Sequence, residues 1–324
     1  MMRNCAQGLV LVVIALTVVS YAQISGTKPQ SSESVQPVTV AFIGDQGMSS
    51  KARAVLQLIK AEGTDLVLHQ GDLDYQRNPI VWDIFVTEVL GADFPYLASI
   101  GNHDIHWQTR KGYRDQLQTR LDRNDELTCS GDLGLESVCI FRGLFFILSG
   151  IGTGIAKDDS DHIAYIRNQL AQTNSKWIVC SWHKNQNLMQ VGGQGDEVGW
   201  EAYKACREGG AIVATAHEHS YSRTHLMNNF ETQSIASTSN TLVIDEGKSF
   251  AFVSGLGGES IRRQKRRDEP WWASIYTYDQ EANFGALFCT FFVNSELNHA
   301  SCYFKDIDGN VPDKFELISK VNSP

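Results

Sequence analysis

Five times between residues 38 and 219 an apolar run of strand length stops at a short polar turn carrying a potential ligand. The run 38–43 ends in Gly44-Asp45-Gln46-Gly47, the run 65–69 in Gly71-Asp72-Leu73-Asp74-Tyr75, and the run 95–100 in Gly101-Asn102-His103-Asp104. The run 176–181 ends in Trp182-His183, and the run 211–215 in Ala216-His217-Glu218-His219. Helical periodicity falls between them, over 52–62 with Ala54, Leu56 and Ile59 inward, over 80–90, over 160–173 with Ile163, Ile166 and Leu170 on one face, and over 199–208. Strand alternating with helix is the pattern of an α/β sheet, in which ligands gather outside the carboxyl ends of the strands.

One such turn says little, because Gly-Asp after a strand also serves as a capped turn. The set says more. Asp45, Asp72, Tyr75, Asn102, His183, His217 and His219 comprise two carboxylates, a phenol, an amide and three imidazoles. His217 and His219 stand at i and i+2 of an extended segment, so their side chains point the same way. Seven donors exceed the needs of one ion and suit two, with Asp72 able to bridge. Paired metals roughly 3.5–4 Å apart clamp the attacking and leaving oxygens of a phosphoryl transfer.

The ordered series Asp45-x-Gly47, Gly71-Asp72-x-x-Tyr75, Gly101-Asn102-His103-Asp104, His183 and His217-x-His219 resembles the calcineurin-like metallophosphoesterases. Tyr75 after Asp72, with Tyr221 and Arg223 after the His-x-His, narrows the resemblance to the purple acid phosphatases, and Val253-Ser254-Gly255-Leu256-Gly257-Gly258 is similar to a Gly-rich segment of that family. The resemblance implies two mixed β-sheets packed as a sandwich flanked by helices, with the metal site at the strand ends. It implies an Fe(III) site of Asp45, Tyr75 and His219, a divalent site (Fe, Zn or Mn) of Asn102, His183 and His217, and Asp72 between them. Hard oxygens for the more highly charged ion and imidazoles for the softer one agree with ligand preference. The activity implied is acid hydrolysis of small phosphate monoesters by a metal-activated hydroxide. The alternative within the superfamily is a phosphodiesterase or nucleotidase with two divalent ions, and outside enzymes a binding protein that keeps the metal fold. Ala216 stands where the family usually has Gly, and the residues after His183 lack the further histidines of the plant enzymes.

His103, beside the ligand Asn102, is the expected group to steady the phosphate and protonate the leaving oxygen. Asn102 and Lys184 are the other candidates to touch the substrate. His69 reads as a packed residue, whereas His106, His162, His225 and His299 read as surface or loop residues. The basic run Arg262-Arg263-Gln264-Lys265-Arg266-Arg267 reads as a solvated loop, and Trp271-Trp272 as a packed pair. No Gly-x-Ser-x-Gly elbow, phosphate-binding Gly-rich loop or His-Glu-x-x-His helix is present.

The chain of 324 residues opens with Arg3, an apolar run over 9–16 and Ser20-Tyr21-Ala22, the layout of a cleavable signal with processing after Ala22. A lead-in rich in Ser, Gln, Thr and Pro follows over 23–37, then one domain over 38–310 with an irregular insertion or lid at 105–143, and a tail at 311–324. No other stretch is apolar and long enough to span a bilayer. Of seven cysteines Cys5 would leave with the signal. A hairpin centred between residues 295 and 296 sets Cys289 opposite Cys302, at the roughly 4.5–5.5 Å Cα separation of facing strand positions. Cys129 and Cys139 would close a Gly-rich loop, and Cys180 and Cys206 are either a third bridge or two buried thiols. Disulfides place the chain in a secreted or lumenal setting. A formal net charge of −9 excludes the phosphate-coating electrostatics of a nucleic-acid binder.

Overall fold

Strands make most of the framework, and two of the five α-helices among the described residues start at a side-chain cap, Ser49 before the first and Asn78 before the second. The computed structural model describes residues 1–2, 35–155, 158–266 and 269–322. The expected signal segment and its cleavage after Ala22, and the lead-in up to residue 34, lie outside the described residues, except for 1–2. From Val35 onward the chain packs as one unit.

Strand β1 (Val38–Ile43) is followed by helix α1 (Ser50–Ala61), β2 (Leu66–His69), α2 (Pro79–Leu90) and β3 (Tyr96–Ala98). Next come α3 (Tyr113–Leu121), β4 (Leu127–Asp132), β5 (Glu136–Phe141), β6 (Leu144–Ser149), α4 (Asp159–Gln172), β7 (Trp177–Ser181), α5 (Glu201–Glu208) and β8 (Ile212–Thr215). The remainder is strand-rich: β9 (Tyr221–Thr224), β10 (Leu226–Asn229), β11 (Ser234–Ser237), β12 (Thr241–Ile244), β13 (Ala251–Ser254), β14 (Trp272–Tyr276), β15 (Gly285–Phe291), β16 (His299–Asp306) and β17 (Asp313–Ser319).

Two mixed sheets result. One has the order β12-β17-β16-β15-β1-β2-β3 and the other β14-β9-β13-β8-β7-β6-β5-β4, while β10 and β11 form a separate ribbon. Strands β1, β2 and β3 run parallel, as do β6, β7, β8 and β13. The sheets pack face to face. Phe42 of β1 meets Phe252 of β13 edge-on at 5.2 Å, Ser254 Oγ donates to the Phe42 carbonyl at 2.8 Å, and Ser99 Oγ donates to the Ser181 carbonyl at 2.9 Å. The carboxyl ends of β1, β2 and β3 in one sheet thereby meet those of β7 and β8 in the other.

Helix α1 starts where the Ser49 side chain accepts the Ala52 amide, one of the orphan donors of a helix start. It buries Ala52, Val55, Leu56 and Ile59, so its inward face is set one residue away from Ala54, which is only partly covered. Helix α4 buries Ile166 and, against the surface expectation, His162, whose ring lies 3.6 Å from the Glu136 carboxylate. Trp271 and Trp272 are buried.

Two expectations are corrected. The segment 105–143 is not an irregular lid: it contains α3 and the hairpin of β4 and β5, which extends the eight-stranded sheet through antiparallel pairing with β6. Its polar composition is that of an edge, where one face and one flank stay in water. The segment 311–324 is not a tail, because β17 lies between β16 and β12 and alternates buried with partly exposed residues. Disulfides join Cys129 to Cys139, Cys289 to Cys302 and Cys180 to Cys206. Cys289 and Cys302 face each other in register across β15 and β16. Among the described residues no helix is long and apolar enough to cross a membrane.

Candidate metal centre

The turns that leave the parallel strands are held in unusual backbone. Asp45 (φ 55°), Asp72 (φ 60°), Tyr75 (φ 57°) and His217 (φ 66°) all adopt the left-handed region, at a cost of about 1–3 kcal/mol each. Surrounding bonds enforce it. The buried Asp104 carboxylate accepts the amides of Asp72 at 2.9 Å and Gly101 at 2.8 Å on one oxygen, and that of Leu73 at 2.8 Å on the other. The turns after β2 and β3 are thus tied by one side chain. Gly101 is required by that closeness: a Cβ there would sit 2.1 Å from Asp72 Oδ1. Asp45 Oδ2 accepts the His217 amide at 2.8 Å, linking the first turn to the last across the two sheets. Gly44 supplies the space that Ala216 takes: a Cβ on Gly44 would meet the Ala216 methyl at 2.3 Å. The Ala216 methyl therefore occupies the space that a side chain at position 44 would need.

The predicted ligands converge in two groups. The Tyr75 hydroxyl donates to Asp45 Oδ1 at 2.7 Å and lies 3.1 Å from His219 Nε2, which is itself 3.4 Å from Asp45 Oδ1. In the other group His183 Nε2 lies 3.2 Å from Asp72 Oδ2 and 3.1 Å from His217 Nδ1. Ligand atoms of Asp72, His183 and His217 all fall within 4.8 Å of one another. Asn102 Oδ1 is buried without a hydrogen-bond partner, an arrangement that is costly unless a cation or water completes it. Two carboxylates, a phenol and three imidazoles in two adjoining groups, with an orphaned amide oxygen on Asn102, are a donor set that fits a pair of cations.

The electrostatics carry the same mark. Burial opposes the charge of Asp45, yet the imidazoles of His219, His183 and His217 hold its carboxyl well below the usual carboxylate range. Asp72 is likewise lowered, His183 outweighing burial. Burial and the carboxylates of Asp45 and Asp72 push the Tyr75 phenol far up. His183 is raised to about 9, because Asp72 overcomes burial, whereas burial and the neighbouring His183 lower His217 to about 4.

His103 is half-buried beside this cluster. Its amide donates to Asp72 Oδ1 at 2.8 Å and its ring packs on that of Tyr75 at 4.6 Å. His69 is buried, its Nδ1 accepting the Gly71 amide at 3.1 Å, and burial lowers its pKa to about 3, so it is a neutral packed residue as expected. Lys184 makes an ion pair beside the cluster. Its ammonium lies 2.5 Å from Glu197 Oε1. The run 262–266 is not merely solvated: the Arg262 amide donates to the His219 carbonyl and its guanidinium to the His217 carbonyl, both at 2.9 Å. Sequence reading missed Asp104 as an organiser although it stands in the third motif. It also missed Glu197 and Ser260, which sit in loops without periodicity.

The family model for calcineurin-like phosphoesterases matches residues 38–221. Among curated proteins the chain is similar to purple acid phosphatase 15 of Arabidopsis thaliana, 23% identical over 245 residues that are 63% of this chain and 44% of that protein. It is also similar to a nucleotide pyrophosphatase/phosphodiesterase of Hordeum vulgare, 21% identical over 290 residues, 78% of this chain and 72% of that protein. Among solved structures it shares its fold with the yellow lupin purple acid phosphatase PPD1, at a TM-score of 0.64 and 18% identity over 87% of this chain and 54% of that one. The chain thus spans about half the length of the Arabidopsis and lupin proteins.

Proposed function

The chain belongs to the calcineurin-like phosphoesterase family, and from that premise we propose that it is an acid phosphatase of the purple type, hydrolysing small phosphate monoesters with an Fe(III)–M(II) pair. The observation that carries this reading is the Tyr75 hydroxyl, 2.7 Å from Asp45 Oδ1 and 3.1 Å from His219 Nε2, a phenol inside the ligand cluster. Asp45, Tyr75 and His219 would hold the ferric ion, Asn102, His183 and His217 the divalent one, and Asp72 both. Cations there supply charge to the phosphoryl oxygens and lower the pKa of water that attacks phosphorus. The chain's own residues do the rest. Asp104 and Gly101 hold the donors in place, and Asn102 would contribute its amide at the same locus. His103, packed on Tyr75 with its backbone tied to Asp72, delivers a proton from its imidazole to the departing ester oxygen. Three disulfides support secretion or a lumenal setting.

Metal analysis with a visible spectrum tests the reading. Protein made in a secretory host supplied with iron is expected to carry about two metal ions per chain and a phenolate-to-iron band that Tyr75→Phe abolishes. A colourless protein holding two divalent ions would overturn the ferric assignment. It would favour the second reading, a phosphodiesterase or nucleotidase, which the similarity to the barley pyrophosphatase/phosphodiesterase supports. Comparing a monoester with a diester substrate separates the two.

A further inference from the structure

Each of the three imidazoles in the candidate centre has its outer nitrogen matched to a partner. His183 Nδ1 lies 2.8 Å from the Gln70 carbonyl, which can only accept, so this nitrogen carries a proton while Nε2 faces Asp72. His219 Nδ1 lies 2.5 Å from Ser260 Oγ. The outer nitrogen of His217 faces a carboxylate: Glu197 Oε2 stands 2.9 Å from its Nε2, an ion-pair contact, and is otherwise buried without a hydrogen bond. Lys184 Nζ holds the second oxygen of that carboxylate at 2.5 Å. A carboxylate so close favours the tautomer with the proton on Nε2, leaving the lone pair on Nδ1. That is the nitrogen 3.1 Å from His183 Nε2.

We propose that Glu197 is the positioning residue of the divalent half of the centre, setting the tautomer and direction of His217, and that Lys184 serves by holding Glu197. The inference rests on the proposed metal reading, and it gives Lys184 a task other than substrate binding. Carboxylate–histidine–metal relays raise the basicity of the ligand, and loss of the outer partner lowers metal affinity by roughly 10–100-fold. The remaining support is local. The Glu197 amide donates to the Asn185 carbonyl at 3.1 Å, and the Asn185 side chain donates to the Ala216 carbonyl at 2.6 Å, so the loop bearing Glu197 is fastened to the turn bearing His217.

The test is chelator competition for zinc on the full chain together with the nitrogen-15 spectrum of its histidines. Glu197→Ala is expected to weaken zinc binding by about 10–100-fold and to shift His217 away from its Nε2-protonated form. Glu197→Gln offers one acceptor to two donors and should also lose affinity. Glu197→Gln combined with Lys184→Met leaves His217 as the sole donor and should recover much of it. Unchanged zinc affinity and an unchanged His217 tautomer in Glu197→Ala would overturn the proposal. Wild-type protein that takes up no metal would sink the functional reading instead, and the metal-free histidine spectra would still decide whether Glu197 sets the tautomer.

Discussion

At the scale of single residues, the candidate centre separates side chains that would touch the reaction from those that hold them. On the proposed reading His103 belongs to the first group, and its contacts to Asp72 and Tyr75 are through its amide and ring face. His103→Ala is therefore expected to lower turnover about 10²–10⁴-fold while leaving metal content near that of the wild type. A parallel loss of metal would show it to be structural. Asp104 belongs to the second group. Asp104→Ala leaves the amides of Asp72, Leu73 and Gly101 buried without an acceptor, at about 1–3 kcal/mol each. Urea denaturation should show a midpoint far below that of the wild type, and a shift within error would mean that water replaces the carboxylate.

At the scale of elements, the two sheets are clasped by buried polar pairs as well as by apolar faces. Arg223 of β9 grips Asp313 of β17 through Nε at 2.7 Å and its terminal nitrogen at 2.9 Å, while the Tyr221 hydroxyl donates to the same carboxylate at 2.7 Å. The two residues that marked the family by sequence thus act between sheets rather than in the centre. A second clasp is open to pH. Glu62, just past α1, accepts from Tyr303 Oη at 2.5 Å and Lys305 Nζ at 2.7 Å, both on β16. Burial raises its pKa, but those bonds outweigh it and the net shift is downward. A depressed carboxylate adds stability above its unfolded pKa and loses it as pH falls through the folded one. The stability gap between wild type and Glu62→Gln should hold steady at neutral pH and close below about 4.5. A gap that widens on acidification would contradict the assignment.

At the scale of the whole molecule, the centre lies where two sheets bring together strand ends far apart in the chain, so cations bound there bind the folded state alone. Removing them by chelation should lower the melting temperature and restoring them should raise it again. The gain is about 2.7 kcal/mol when free metal stands at 100 times its dissociation constant. Calorimetry showing no shift would argue against a preformed metal centre.

The strands that end at Asp45, Asp72, Asn102, His183 and His217 were legible in the amino-acid order, because an apolar run and the turn after it are local features. The facing of Cys289 and Cys302 was legible for the same reason, a hairpin being short-range. The hairpin of β4 and β5 escaped notice because an edge strand looks polar. Strand β17 escaped although Asp313, Phe315, Leu317 and Ser319 alternate with more exposed residues, because its partners β12 and β16 define it as much as its own sequence. What the sequence by itself determined is which residues can serve as ligands and that they stand at strand ends, since backbone period and turn chemistry act over a few residues. Only the tertiary structure decided that Asp104 ties two turns together, that Lys184 is held by Glu197, and that Glu197 faces His217, because those contacts join turns and loops that meet only once strands far apart in the chain have paired side by side.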